Sequence, residues 1–584
     1  MDEMDIERGQ TMSEQKMIRG ARILLETLKR LGVTDIFGYP GGAVIPIYNE
    51  IYDFEGINHY LARHEQGAAH EADGYARASG KCGVCLATSG PGATNLVTGI
   101  MTAHMDSIPL LAITGQVASH LLGKDAFQES DIIGITMPVT KNNYLVQDIR
   151  HIARTVKEAY YLATTGRPGP VLVDITRDAQ LAEISYEEFE AIFNEPISLE
   201  GYDPNYIGHK KQIKKAIDIV KAAKRPLIIA GHGVLLSDAT EELYKLATTC
   251  QIPVTNTLLG LGSFPGEHQL SLGMLGMHGT VYANYATNEA DVVLALGIRF
   301  DDRIAGVPKE FCPQATIVHV DIDPAEIEKN KLIDVPIVGD LKHVLNEMNH
   351  ELTPQTHEDW LERIREWREE YPIRVRPHEG ESLLPQKVIQ EIDNIVKGNA
   401  IVVTDVGQHQ MWASQFITYS KPNTIITSGG AGTMGFGLPA AIGAQVAQPD
   451  TKVVLITGDG GLQMNSQELL LLKAYNIPVK VVIINNGFLG MVRQWQELFN
   501  NHRYSFVDLS ISPDFEVLAQ AYGVRGVTLS TIEDLRSQLR DLILSDEPVV
   551  INCVVEKEEN VFPMIPAGCS AKDMIGLKGG PDNE

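Results

Sequence analysis

Short runs of Val, Ile and Leu alternate with stretches of helical period almost throughout the chain, and most of the runs end at a glycine turn. Residues 84–87 lead into TSGPG, 227–230 into GHG, 453–456 into TGDGG and 479–484 into NNG, with a further run at 292–297. Runs that stay apolar at successive positions predict strands covered on both faces, and the intervening helices predict parallel crossovers. The expected fold class is α/β, with doubly wound domains and mainly parallel sheets. Ligands of such sheets gather at the carboxyl ends of the strands, where these glycine turns fall.

Two acidic, pattern-poor stretches interrupt the alternation. YEEFEAIFNEPISLEGYDPNY at 186–206 reads as a linker, and residues 352–385 as a second one containing the charged helix EDWLERIREWREEYP. They leave three domains over 17–185, 207–350 and 385–555, followed by a tail over 556–584. A length of 584 residues suits that division at about 150 residues per domain. Residues 1–16 are polar and acidic, so a disordered leader is expected there and not a signal peptide. No apolar run approaches the ~20 residues of a membrane span, so a cytoplasmic protein with no membrane partner is expected. The outer domains echo each other. ATSGPGATNLVTGI and TGDGGLQMNSQELL both follow an apolar strand and open a helix, which fits either a duplication or the strand-to-helix turn common to parallel folds.

Charge narrows the partners. Forty-nine basic against 75 acidic side chains give a net charge of −26. No Lys/Arg cluster offsets it, so no nucleic acid is expected, and an anionic ligand must be held by isolated cations, helix N-termini or a metal. Cys82 and Cys85 match C-x-x-C, but positions i and i+3 of a strand face opposite ways. Two small buried side chains are expected there, with no redox or metal role.

Asp459 sits between glycines at the end of an apolar run, a costly place for a carboxylate unless something needs it. A dinucleotide turn does not explain it, because Gln463 stands where the third glycine of G-x-G-x-x-G belongs. Twenty-four residues separate Gly460 from Asn485, room for a helix over 465–475 and a return strand over 479–484. The right-handed crossover brings that strand alongside the first or close to it. Asp459 and Asn486 then offer hard oxygen ligands suited to Mg²⁺ or Ca²⁺, beside a helix start that favours an anion. The unit reads as a metal–diphosphate site.

This unit resembles the thiamine diphosphate-binding motif, GDG followed by a couple of dozen residues and NN. The resemblance implies that Asp459, Asn486 and the carbonyl of Phe488 bind Mg²⁺, and that Gly458, Gly460 and Gly461 lie against the diphosphate. It also implies a carboxyl group that hydrogen-bonds the cofactor's pyrimidine. RHEQGAAHEADGYARASG at 63–80 supplies Glu65, followed by a face of small residues. Taken alone, Glu65 fits equally a carboxylate complementing a helix dipole. Glu71 and Asp73, on the same segment, are expected to be solvated.

Further segments extend the resemblance over nearly the whole chain: FGYPGGAVIPIY (37–48), DAFQESDI (125–132), GRPGPVLVDI (166–175), LGMHGTVYAN (275–284), RFDDR (299–303) and GMVRQW (490–495). Together they are similar to the catalytic subunit of the acetohydroxyacid (acetolactate) synthase family. The resemblance implies pyrimidine-binding, central and diphosphate-binding domains. It implies decarboxylation of pyruvate to a hydroxyethyl carbanion that adds to pyruvate or 2-ketobutyrate, giving 2-acetolactate or 2-aceto-2-hydroxybutyrate on the way to valine, leucine and isoleucine. Val406, Gly407, Gln408 and His409 would approach the diphosphate, Gly432 and Met434 the pyrimidine, and Leu489 and Met491 would complete the pocket. Arg303 would pair with the second keto acid's carboxylate and Trp495 would favour its longer alkyl group. Phe127, Gln128 and Lys141 would line the mouth. Arg303 alone fits a surface ion pair with Asp301 or Asp302, and the methionines alone fit core filling.

The same resemblance implies a mainly structural FAD in the central domain. Arg167, Gly231, His232, Gly233, Thr257, Leu275, Gly276, Met277, His278, Gly297, Arg299, Asp301, Asp321, Ile322 and Asp340 stand at its contact positions. Homodimers or tetramers with the active site at the subunit interface are implied, with a small regulatory subunit as a further partner. Three other readings compete: a pyruvate oxidase-like enzyme in which FAD does redox work, a catalytically dead scaffold subunit, and an NAD dehydrogenase. Retention of Glu65 and Asp459 speaks against the second, and the incomplete dinucleotide pattern against the third.

Overall fold

The computed structural model describes residues 16–378, 380 and 382–577. Of the expected leader only Lys16 falls among them, and residues 578–584 of the tail lie outside.

Three six-stranded sheets carry the chain, and every strand pairing within them is parallel. The first is built from β1 (Asp35–Gly38), β2 (Asn58–Leu61), β3 (Gly83–Ala87), β4 (Leu110–Gln116), β5 (Asn142–Val146) and β6 (Pro170–Thr176). The second holds β7 (Pro226–Ala230), β8 (Val254–Asn256), β9 (Ser271–Met274), β10 (Val292–Leu296), β11 (Thr316–Asp321) and β12 (Val335–Val338). The third holds β13 (Ala400–Thr404), β14 (Ile425–Ile426), β15 (Lys452–Gly458), β16 (Lys480–Asn485), β17 (Arg525–Leu529) and β18 (Val549–Val554). The runs that stay apolar in sequence are the central strands. β3, β7, β10 and β13 are buried at every position, as helices on both faces require.

The outer sheets share one topology. The first runs β2-β1-β3-β4-β6-β5 and the third β14-β13-β15-β16-β18-β17, the same order position for position. The middle sheet runs β9-β8-β7-β10-β11-β12, the order of dinucleotide-binding folds. The faint echo between the outer domains is therefore matched at the level of strand order. Cys82 and Cys85 are buried in separate apolar clusters on opposite sides of the first sheet, as two small core side chains.

Both presumed linkers are packed. Residues 186–194 form a helix whose Phe189 is buried, so the pattern-poor reading fails where Glu residues interleave with Phe189, Ile192 and Phe193. The charged helix Glu358–Glu370 docks Trp360, Ile364 and Trp367 on the middle sheet, and Trp360 Nε1 donates to the Pro226 carbonyl at 3.0 Å.

α1 (Glu65–Ser79) lies between the first sheet and α4 (Gly437–Ala447) of the last domain, with α2 (Val97–Asp106) beside it and α3 (Gln408–Phe416) starting at the end of β13. A Cβ on Gly74 would collide with the Ala440 carbonyl, and one on Gly443 with that of Glu71. The two helices cross backbone against backbone, which only glycine at both crossing points permits.

That crossing corrects the expectation for Glu71 and Asp73, which are buried. α1 has no wet face at that level. Asp73 is held by Arg77 one turn on, at 2.5 Å. Glu71 faces the carboxyl of Glu468, whose two oxygens accept the Arg63 N–H at 3.1 and 3.0 Å. Burial, and then the Glu468 charge, pushes the Glu71 carboxyl well above the usual carboxylate range, and burial raises Glu468 as well. A proton on Glu71 removes the repulsion between the two buried carboxyls. Because the folded state holds this proton more tightly than the unfolded state, its stabilisation is complete below the ordinary carboxyl pKa and is lost as pH rises past the raised value. Glu71→Gln supplies a donor with no proton to lose. Its melting temperature is expected to exceed the parent's by about 2–4 °C at about pH 8.5, with the advantage gone near pH 5. A variant melting no higher at the alkaline end would mean the pair holds no proton.

Candidate functional site

β15 and β16 are neighbours, with Gly458 opposite Ile484, so Asp459 and Asn486 leave adjacent strand ends side by side. The connecting helix starts earlier than the spacing suggests. α5 (Asp459–Met464) begins at the aspartate itself, and a break at Asn465 separates it from a second short helix, Leu469–Ala474. At the break Asn465 leaves helical geometry and donates Nδ2 to the Gly435 carbonyl at 2.8 Å.

Asp459 is 1% exposed, and its Oδ2 has no hydrogen-bond partner. Burial pushes its carboxyl up to about 6. Asn486 is held by its neighbours: Nδ2 donates to Gln408 Oε1 at 3.2 Å, and Oδ1 accepts the Phe488 N–H at 3.1 Å. Gln408 is fixed in turn, donating to Gln494 Oε1 and to the Glu559 carbonyl, each at 2.9 Å. An orphaned buried carboxylate oxygen beside an oriented amide, next to a turn at Phe488 pinned by the Leu489 N–H to the Val507 carbonyl and the Leu509 N–H to the Gly487 carbonyl, each at 2.8 Å, offers the hard oxygen donors a hard cation requires, so the donor set fits Mg²⁺.

Asp405, at the end of β13, was not singled out in the sequence. It is buried and accepts the N–H groups of Val406 (2.8 Å), Gly435 (3.0 Å) and Gly437 (2.9 Å), which fixes the glycine loop 428–437. A Cβ on Gly461 would come within 2.5 Å of its Oδ1. α3 follows directly, and no side chain caps its first N–H groups. Its residue His409 is buried with Nε2 unpartnered, and burial lowers the imidazole to about 4. Uncapped N–H groups and a neutral imidazole suit a diphosphate.

A single cavity of about 660 Å³ spans this region and the strand ends of the middle sheet. Every residue expected around the diphosphate, pyrimidine and metal, Glu65 excepted, lines it, as do Arg303 and Trp495. The methyl of Met434 and the side chain of Leu489 converge on the Cβ position of Gly460. The volume suits a large cofactor with room for substrate. Arg303 is 61% exposed and only loosely paired with Asp302, at 3.6 Å. Such a pair is worth little, so the guanidinium can turn to an arriving carboxylate. Trp495 packs edge-on against Phe499, centroids 5.4 Å apart.

On the middle-domain side all but two of the expected residues line the cavity. Gly231 and Gly276 stand behind its wall, against Gly297 and Arg303. Asp301 caps the N–H groups of Arg303 and Ile304, and Asp340 caps His343. Asp321 is pushed up to about 7 by burial, while burial lowers His232 and His278 to about 4. Arg167 is engaged by Glu326 at 2.6 Å and Asp323 at 3.1 Å. The Arg167 and Arg299 guanidiniums, the uncharged imidazoles of His232 and His278 and the raised carboxyl of Asp321 on this wall fit a dinucleotide such as FAD.

Four expected residues stand elsewhere. Glu65 opens α1, accepts from Asn95 Nδ2 at 2.9 Å and does not line the cavity. Phe127 is 88% exposed and Gln128 adopts a positive φ of 59°, both away from the cavity wall. Lys141 donates to the carbonyls of Leu162 and Thr165 and to the Tyr202 hydroxyl, and burial lowers its amine to about 8. Within one chain, the carboxylate expected to activate a pyrimidine and the cavity expected to hold it are separate.

Among known families, residues 18–135 match the thiamine pyrophosphate enzyme N-terminal TPP binding domain, 213–348 its central domain and 405–553 its C-terminal TPP binding domain. The acetolactate synthase large subunit of Cyanidium caldarium is 48% identical over 570 residues, covering 96% of this chain and 97% of that protein. That of Lactococcus lactis subsp. lactis is 47% identical over 572 residues, 98% of each chain. The probable acetolactate synthase large subunit of Methanocaldococcus jannaschii is 48% identical over 561 residues, 94% of each.

Proposed function

The chain belongs to the acetolactate synthase large-subunit family of thiamine diphosphate enzymes, and from that premise we propose that it joins the two-carbon unit of pyruvate to a second 2-keto acid, pyruvate or 2-ketobutyrate. The observation that carries the reading is the orphaned oxygen of Asp459, set beside Asn486 in a cavity that also reaches Arg303 and Trp495. Asp459, Asn486 and the Phe488 carbonyl would hold Mg²⁺ against the diphosphate, and the central-domain wall would hold FAD. When bound, thiamine diphosphate supplies the carbon that attacks the keto group and takes up the electron pair left by CO₂.

The chain's own groups bind, orient and hold protons. Asn95 occupies Oε2 of Glu65, which leaves Oε1 as the oxygen that would hydrogen-bond the aminopyrimidine ring. Arg303 binds the second keto acid's carboxylate and directs its carbonyl inward, a task for which a guanidinium fork is suited. Trp495 gives the alkyl group an apolar wall, a preference worth about 1–3 kcal/mol per methylene. The separation of Glu65 from the cavity supports a homodimer in which each chain lends its Glu65 to the other's cavity. A small regulatory subunit is part of the same reading, carried by family likeness.

Two pyruvates give acetolactate and CO₂ with no electron acceptor consumed. Pyruvate supplied anaerobically, with thiamine diphosphate, Mg²⁺ and FAD but no acceptor, is expected to yield acetolactate, and 2-aceto-2-hydroxybutyrate once 2-ketobutyrate is added. Turnover that waits for an electron acceptor would assign the protein to oxidase chemistry instead. Among the described residues, no helix is long and apolar enough to cross a membrane.

A further inference from the structure

Asp106 is buried at the end of α2, and Ser107 follows it in the left-handed region at φ 62°. Its Oδ2 accepts from the Gly429 N–H at 3.0 Å and from Arg77 Nη2 at 2.8 Å, and its Oδ1 from the Gly430 N–H at 2.6 Å. Arg77 also donates to the Thr427 carbonyl at 3.0 Å. The first domain thus grips the start of the loop that carries Gly432 and Met434 into the thiamine half of the cavity.

The same two residues reach the other half. The Asp106 carbonyl lies 2.9 Å from His232 Nδ1, and Ser107 Oγ accepts from Arg167 Nε at 2.8 Å. His232 of the central domain lines that half, as does Arg167, a first-domain residue tied to the central domain by Asp323 and Glu326, and Met105, Asp106 and Ser107 are themselves part of the lining. None of these bonds belongs to a sheet ladder. They join three domains at one point on the cavity surface, and a charge-assisted set of this kind holds geometry tightly.

We propose that the Asp106–Ser107 segment is a positioning element that couples the two cofactor halves, so that FAD held against His232 and Arg167 fixes the 428–434 loop and tightens thiamine diphosphate binding. The proposal rests on the reading that FAD occupies the central-domain wall. By linkage, thiamine diphosphate tightens FAD binding by the same factor.

The test is a pair of equilibrium titrations on the full-length protein, with Mg²⁺ present: thiamine diphosphate binding followed by tryptophan fluorescence, with and without saturating FAD, and FAD binding followed by flavin fluorescence. The wild type is expected to bind thiamine diphosphate about tenfold more tightly with FAD present, within the usual range for coupled sites. Asp106→Asn keeps the shape but can no longer accept from both glycine N–H groups and Arg77, so the ratio is expected to fall below about twofold while FAD still binds. Ser107→Ala removes only the Arg167 bond and leaves the buried charge in place. It serves if Asp106→Asn does not fold, with an expected ratio reduced by at least half. A wild type that binds FAD with no change in thiamine diphosphate affinity overturns the coupling, as does a full ratio in the variants. A wild type that binds no FAD overturns the flavin reading and the coupling with it.

Discussion

Asp459→Ala is expected to abolish synthase activity, by at least a thousandfold, because the protein no longer retains Mg²⁺ and thiamine diphosphate. The expectation follows from the bonding of the carboxylate. Its Oδ2 has no partner and the group is almost fully buried, so it contributes little to the fold that alanine would forfeit. Removing a buried carboxylate that has one orphaned oxygen, and whose support is limited to nearby backbone N–H groups, is close to neutral for the empty protein. The melting temperature without cofactors should therefore hold. What should change is the rise on adding Mg²⁺ and thiamine diphosphate together, about 2.7 kcal/mol at a hundredfold excess over Kd for a site that binds only the folded state. A variant that keeps this cofactor-dependent shift would remove Asp459 from the site.

Glu65→Gln is expected to separate binding from turnover. Gln keeps the size and can accept from Asn95 but cannot share a proton with the ring, so activity should fall by about 10²–10⁴. Thiamine diphosphate and FAD should still bind at near-parental affinity. If Glu65 serves a partner's cavity, an inactive Glu65→Gln chain mixed with an inactive Asp459→Ala chain should regain activity in the mixed dimer. That dimer pairs an intact Asp459 with an intact Glu65 in one of its two sites. No recovery after verified exchange of subunits would place both groups on one chain.

Much of this was legible because it is local. The diphosphate unit announces itself through a βαβ spacing of two dozen residues, and strand positions followed from uninterrupted apolar runs. Asp405 obeys the same strand-end logic as Asp459 yet passed unnoticed, since the N–H groups it binds lie 30 and 32 residues further on. Glu71 and Asp73 were misread for a different reason. Helical period says which residues share a face, and nothing in 63–80 says that a helix more than 360 residues later covers it. Arg77 and Asp106 find their partners across 350 and 323 positions, beyond the reach of any spacing argument. Glu65 stood out only through family likeness, because a carboxylate at a helix start is common.

The Gly74–Gly443 crossing bears on how this chain can be recombined. A chimera taking its first domain from one relative and its last from another joins two halves of a contact with no slack, where a single methyl on either helix meets a carbonyl oxygen. Exchange points between 80 and 437 therefore split a matched pair. Those that move both helices together keep it, and libraries should treat residues 65–79 and 437–447 as one heritable block despite the distance between them.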